Sequence, residues 1–151
     1  MTSLTPAYPT DFKYYHPTQV RYADLYTLHH VNNVSILEYV ETARIGYFRE
    51  TGVWDGSLAG GFGTVIASLQ IDYLVSIQFD DTVRVGVRTP YIGGKSLRSQ
   101  FVVESGDGKT VFARGVSVLV AIDQAENKTM RVPQEVREKL AAFEHNEDLL
   151  A

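Results

Sequence analysis

The chain has 151 residues, 44% of them hydrophobic and 21% charged, with a formal net charge of −4 and no cysteine. A chain of this length and composition forms one ordinary domain and buries about two-thirds of the surface its unfolded form exposes. The inventory excludes disulfides, thiolate metal sites and a cysteine nucleophile; the acidic balance argues against a nucleic-acid partner, which needs a basic face, and no apolar run reaches the roughly 18 residues that span a bilayer.

Residues 1–17, rich in Thr, Pro and Tyr, read as an extended arm with neither the basic nor the apolar region of a leader peptide, so a cytoplasmic protein is expected. A short strand is predicted at 19–24 and an aperiodic polar and aromatic loop at 25–31. From Asn32 or Asn33 to about Glu50, the residues Ile36, Leu37, Val40, Ala43, Tyr47 and Phe48 recur every three or four positions, which predicts a helix with one buried face. Asn is a good cap at its start and Gly52 a natural stop. Four glycines in 56–63 make a flexible connection.

After Thr64 the period drops to two. Val65, Ala67, Leu69, Ile71, Tyr73, Val75 and Ile77 alternate with polar residues, predicting a long strand with one apolar face. Strands at 83–91, 97–104 and 110–122 follow, the last apolar on both faces as a central strand is. Asp80-Asp81, Gly93-Gly94 and Gly106-Asp107-Gly108 read as hairpin connections, so the four strands are expected as a meander. Pro133 opens a closing helix to about Glu144. One long helix against such a sheet is an α+β fold, with an antiparallel sheet wrapped on a central helix.

The run Val20-Arg21-Tyr22-Ala23-Asp24-Leu25-Tyr26-Thr27-Leu28-His29-His30-Val31-Asn32-Asn33, continued by Leu37, Tyr39, Glu41, Ala43 and Arg44, resembles the opening of the 4-hydroxybenzoyl-CoA thioesterase-like hotdog family. Asp72-Tyr73, Gly93-Gly94-Lys95-Ser96 and Val132-Pro133 continue the likeness, which covers about residues 18–140. It implies a single hotdog domain over 1–151 that hydrolyses acyl-CoA thioesters to free acid and CoA. It also implies no cofactor beyond the CoA of the substrate, no metal, and a homodimer or homotetramer with the pocket between subunits. Two positions depart from the pattern: the usual catalytic carboxylate falls at Tyr26, and a glycine falls at His29. A non-catalytic acyl-CoA or small-ligand binding protein that lost the carboxylate is the alternative.

Thioester hydrolysis needs a donor for the carbonyl oxygen and a group that activates water. The helix-start amide at Asn33 suits the first need, with Asn32 beside it, and both residues also serve as caps. For the second, Asp24 is the only carboxylate in the loop region, with an ion pair to Arg21 or Arg44 as its other reading. His30 offers an imidazole, the side chain best suited to base chemistry near neutrality, or packs beside the helix start. Tyr26, a poor base, either donates to the thioester oxygen or forms an aromatic wall. Glu41 reaches a pocket or pairs with Arg44. Lys95, Ser96 and Arg98 beside the glycine pair are the candidates for holding CoA phosphates, ahead of Arg84, Arg88, Lys109 and Arg114. Tyr22, Tyr26, Tyr39 and Tyr73 could shape an aromatic-acid pocket or simply pack.

Overall fold

The computed structural model describes residues 11–56 and 61–151. The helical stripe forms α1, Asn33–Thr51. Asn32 caps it by accepting the Val34 amide on Oδ1 at 2.9 Å, and Gly52 ends it in the left-handed region at φ 83°, where a side chain is strained. Ile36, Val40, Ala43 and Tyr47 are buried along one face, as their spacing requires.

That face rests on an antiparallel sheet made of β1 (Tyr15–Thr18), β2 (Phe62–Tyr73), β3 (Val83–Ile92), β4 (Ser96–Ser105), β5 (Val111–Asp123) and the two-residue β6 (Lys128–Thr129). The strand order is β1-β3-β4-β5-β2, with β6 on β5, and this is the hotdog arrangement. Val85, Val87, Leu97, Phe101, Val103 and Leu119 supply the sheet side of the core, each at most 1% exposed.

Five details differ from the sequence reading. Residues 19–24 are not a strand, because the Asp24 carboxylate accepts the Arg21 amide at 2.9 Å and winds Tyr22–Asp24 into a 3-10 turn. The first strand lies earlier, inside the expected arm, where Tyr15–Thr18 pairs with Val83–Gly86.

β2 carries a bulge: Ile66 pairs with Leu119 and Ser68 with Val118, so Ala67 is unpaired. Ile66 therefore joins the helix-facing side with Leu69, Ile71 and Tyr73, and Val65 turns to the other face. The strand also stops at Tyr73, where the amides of Leu74 and Val75 both turn to the Phe112 carbonyl. Finally, only β3, β4 and β5 form a meander. β2 lies on the far side of β5, so the segment around Asp80-Asp81 is a crossing and not a hairpin. β5 therefore has a hydrogen-bonded neighbour along each edge, β4 on one and β2 on the other.

α2 (Gln134–Glu144) closes one end. Its Glu144 carboxylate accepts the Tyr47 hydroxyl at 2.7 Å and the Thr89 amide at 3.1 Å. The buried Arg137 donates to the Ala151 carbonyl at 2.9 Å and to the Gly93 carbonyl, tying the C-terminus to the β3–β4 turn. Among the described residues no helix is long and apolar enough to cross a membrane.

β2 is left as a free edge, bonded to β5 alone among the described strands. Its contact with β5 depends on Gly115, where a Cβ would lie 2.1 Å from the Gln70 carbonyl oxygen and 2.6 Å from the Phe101 ring. Gly115→Ala is expected to lower stability by about 1–3 kcal/mol, read as a lower urea midpoint. An unchanged midpoint would mean that β2 does not pack on β5 in this register.

Candidate active site

The stretch between β1 and α1 folds back on itself. Tyr26 donates its amide to the His30 carbonyl at 3.2 Å, His29 donates to the Tyr26 carbonyl at 2.8 Å, and Leu25 pairs with Val31. This is a hairpin with a three-residue loop, a form whose last loop residue takes the left-handed conformation. His29 does so, at φ 65°. Closing the hairpin sets Tyr26 and His30 side by side, with the Tyr26 hydroxyl 3.1 Å from His30 Nε2 and the rings edge to face at 4.6 Å.

Asp24 anchors this hairpin to the helix. Its side chain is 1% exposed and accepts the Arg21 amide, Arg21 Nε and Nη2 at 3.2 and 2.8 Å, and the Tyr39 hydroxyl at 2.5 Å. Its carbonyl oxygen accepts the Asn32 amide at 2.8 Å and the Ser35 hydroxyl at 3.5 Å. Burial alone would raise the carboxyl's pKa, but the bonds from Arg21 and Tyr39 outweigh it and hold it below the ordinary aspartate value. Burial, and then the bond to Asp24, pushes the Tyr39 phenol up.

Beside the hairpin a cavity of about 550 Å³ opens at the start of α1. The hairpin contributes Tyr26 and His30, the helix Asn33 and Ile36, and β2 and its exit contribute the wall from Tyr73 to Ile77. Asn32 uses its side chain on Val34, and the amide of Asn33 itself has no acceptor among the described residues. Asn33, a residue of the cavity lining, therefore has a first-turn amide with no partner among the described residues, at the positive end of the helix dipole.

The profile of the Thioesterase-like superfamily matches residues 20–140, four-fifths of the chain. The chain belongs to that superfamily. Among its relatives, the long-chain acyl-CoA thioesterase FadM of Escherichia coli K12 is 28% identical over 123 residues, 81% of this chain and 92% of that one. YsmA of Bacillus subtilis is 29% identical over 131 residues, 87% of each chain. A thioesterase of Thermus thermophilus, solved with coenzyme A and zinc, superposes with a TM-score of 0.77 at 35% identity, covering 89% of this chain and 97% of that one.

Within this superfamily member, the residues singled out from the sequence do not all fall together. Tyr26, His30, Asn32 and Asn33 meet at the cavity, joined by Tyr73. Asp24 lies behind it, in the ion pair with Arg21. Glu41 is exposed, 3.7 Å from the buried Arg44 guanidinium. Tyr39 packs on Asp24, and Tyr22 stands 82% exposed against Phe79.

Lys95, Ser96 and Arg98 sit at the β3–β4 turn, where Ser96 pairs through Val120 to Val65 of β2. That is eight residues along β2 from Tyr73, about 26 Å. Tyr91 under Arg98, at 5.2 Å, and Arg131 near Gly94 belong to the same surface and were not singled out from the sequence. Nor was a second, mainly apolar cavity of about 220 Å³ at the other end of α1, lined by Ile45, Phe48, Trp54 and Phe62. No group of three or more His, Asp or Glu that could hold a metal occurs among the described residues.

Replacing Asp24 with Asn removes the charge that Arg21 and Tyr39 share, an expected loss of about 1–3 kcal/mol at neutral pH. A carboxyl held below its ordinary value contributes stability above the unfolded pKa of about 4 and loses it as pH falls through the folded one. The gap between wild type and Asp24→Asn in urea unfolding should therefore be full at pH 7 and shrink below about pH 4. A gap independent of pH would mean the carboxylate's charge is not what stabilises the hairpin.

Proposed function

We propose that the protein is an acyl-CoA thioesterase acting as a homodimer, with the thioester carbonyl bound at the start of α1. The amide of Asn33, a residue of the cavity lining, has no partner among the described residues and carries the reading: it is a fixed donor, backed by a helix dipole, for the oxygen that becomes negative when the carbonyl is attacked. Membership of the superfamily and the likeness to FadM, a long-chain acyl-CoA thioesterase, support the substrate class. A cytoplasmic location accords with a CoA-linked substrate.

The free edge supports the dimer. β2 is twelve residues long, has no proline, lysine or arginine, and exposes Val65 and Ile66 at 48% each and Leu69 at 39%. A long apolar edge of this kind pairs with another strand. In an antiparallel pairing of two β2 strands, the Tyr73 end of one lies beside the Phe62 end of the other. The cavity at the start of one α1 then adjoins the second cavity of the partner, and the partner's β3–β4 turn comes round from the far end.

On this reading the acyl group lies against Ile45, Phe48, Trp54 and Phe62, in a space somewhat larger than the roughly 150 Å³ that holds a benzene ring. Lys95, Arg98 and Arg131 supply cations for the CoA phosphates.

A panel of aliphatic and aromatic acyl-CoAs, followed by release of free thiol, tests the activity. Turnover of part of the panel is expected, and saturable binding with no release would instead make this a binding protein. Leu69→Lys should convert the dimer, or a dimer of dimers, to monomer in sedimentation at micromolar concentration and lower turnover at least tenfold. An active variant of unchanged size would place the contact elsewhere. Ile45→Trp fills the second cavity and should shift preference toward shorter acyl groups; an unaltered chain-length profile would remove that cavity from the site.

A further inference from the structure

The reaction needs a proton acceptor, and the usual carboxylate position holds Tyr26. Among the residues lining the cavity at the start of α1 there is no Asp, Glu, Lys or Arg, and the ionisable side chains are Tyr26, His30 and Tyr73. A phenol is a poor base near neutrality, whereas imidazole is suited to the task. Asp24 is not among the lining residues and already accepts four bonds on its carboxylate. We infer that His30 is the general base of this thioesterase, and that Tyr26 has become the positioning residue that orients it.

The inference rests on the thioesterase reading above and adds the group that activates water. The Tyr26 hydroxyl lies 3.1 Å from Nε2 of His30 and occupies that nitrogen, which leaves Nδ1 for the water. The proposed role of Tyr26 is to accept a hydrogen carried on Nε2, the arrangement in which Nδ1 is unprotonated and able to act as the base. The edge-to-face contact at 4.6 Å and the hairpin closure from Tyr26 to His30 fix the ring further.

In the reaction Nδ1 takes a proton from water as the water oxygen bonds to the thioester carbon. The carbonyl oxygen gains the negative charge against the Asn33 amide. The carbon–sulfur bond then breaks, the sulfur leaves with the bonding electrons and receives the proton from His30. Acid and free CoA result, and His30 returns to its starting state.

Within the same subunit, the charged or ionisable groups around His30 are few. Tyr26 lies on its own hairpin and Tyr73 on β2 across the cavity. The facing segment, bridged to His30 at Gln78, brings Asp81, whose carboxylate accepts the Gln78 amide at 2.7 Å. Its chain neighbour His29 is exposed, Asp24 is bound to Arg21, and α1 adds no charged side chain to the cavity wall.

The test uses the full chain and the best substrate from the acyl-CoA panel, with folding of each variant checked by circular dichroism. His30→Gln should lower kcat by about a hundredfold or more with KM little changed, and should abolish the rise of kcat with pH that an imidazole base produces. Tyr26→Phe should lower kcat about tenfold and, in nitrogen-15 spectra of the unliganded protein, convert a single Nε2–H tautomer of His30 into a mixture. Tyr26→Asp, which restores a carboxylate, should make turnover less dependent on His30, so that adding His30→Gln costs less than it does alone.

A folded His30→Gln protein with kcat and pH profile within twofold of wild type would overturn the inference and leave the thioesterase reading standing. A tautomer unaffected by Tyr26→Phe would overturn the role of Tyr26. Wild-type protein inert toward the whole panel would overturn both.

Discussion

Asp24 is the point at which the site is tied to the fold. One residue holds the 3-10 turn through Arg21, the middle of α1 through Tyr39, and the helix start through Asn32 and Ser35. Its carboxylate is buried and keeps its charge because it accepts four bonds, two of them from a guanidinium. Without that anchor the hairpin from Leu25 to Val31 would hang from the helix by its cap alone. The positions of Tyr26 and His30 relative to the Asn33 amide depend on it, although Asp24 does not reach the cavity.

The rest of the architecture exposes one end of a helix in a controlled way. The sheet covers the buried stripe of α1, α2 and the C-terminus seal one end of the core through Glu144 and Arg137, and the chain leaving β2 passes the opposite end. There Ile77 accepts the Val31 amide at 2.9 Å and is itself fully buried, so the crossing segment is pinned to the hairpin. The first-turn amide is left between these walls in a partly apolar space, where a hydrogen bond to a developing charge is stronger than in water.

The helix was legible in the sequence to within a residue, because the stripe, the Asn cap and the Gly stop all point to the same boundaries. β3, β4 and β5 were legible from strict alternation and glycine turns. The bulge at Ala67 was not, since one unpaired residue leaves the sequence alternating while the pairing shifts. Strand order was not legible either, because adjacency in sequence favours a meander. The likeness to the hotdog family pointed to Tyr26, His30 and Asn33 as parts of one site, and the hairpin brings them together. The role of Asp24 needed the structure: Asp three residues after Arg suggests an ion pair, but the bond from Tyr39, fifteen residues on, is a tertiary contact. His29 is the converse case. A glycine in the family pattern signals a left-handed residue, and φ 65° explains why a glycine suits that position.

The bulge in β2 also bears on what that strand avoids. A flat, regular strand of twelve residues with an apolar face would stack on copies of itself in many registers, the route to disordered aggregates. The extra residue at Ala67 twists the edge and puts Val65 and Leu69 on opposite faces, so a slipped alignment no longer sets like against like along the strand. A strand that is sticky along its whole length is thereby made choosy about alignment, and the irregularity acts as a safeguard of solubility as much as a feature of shape.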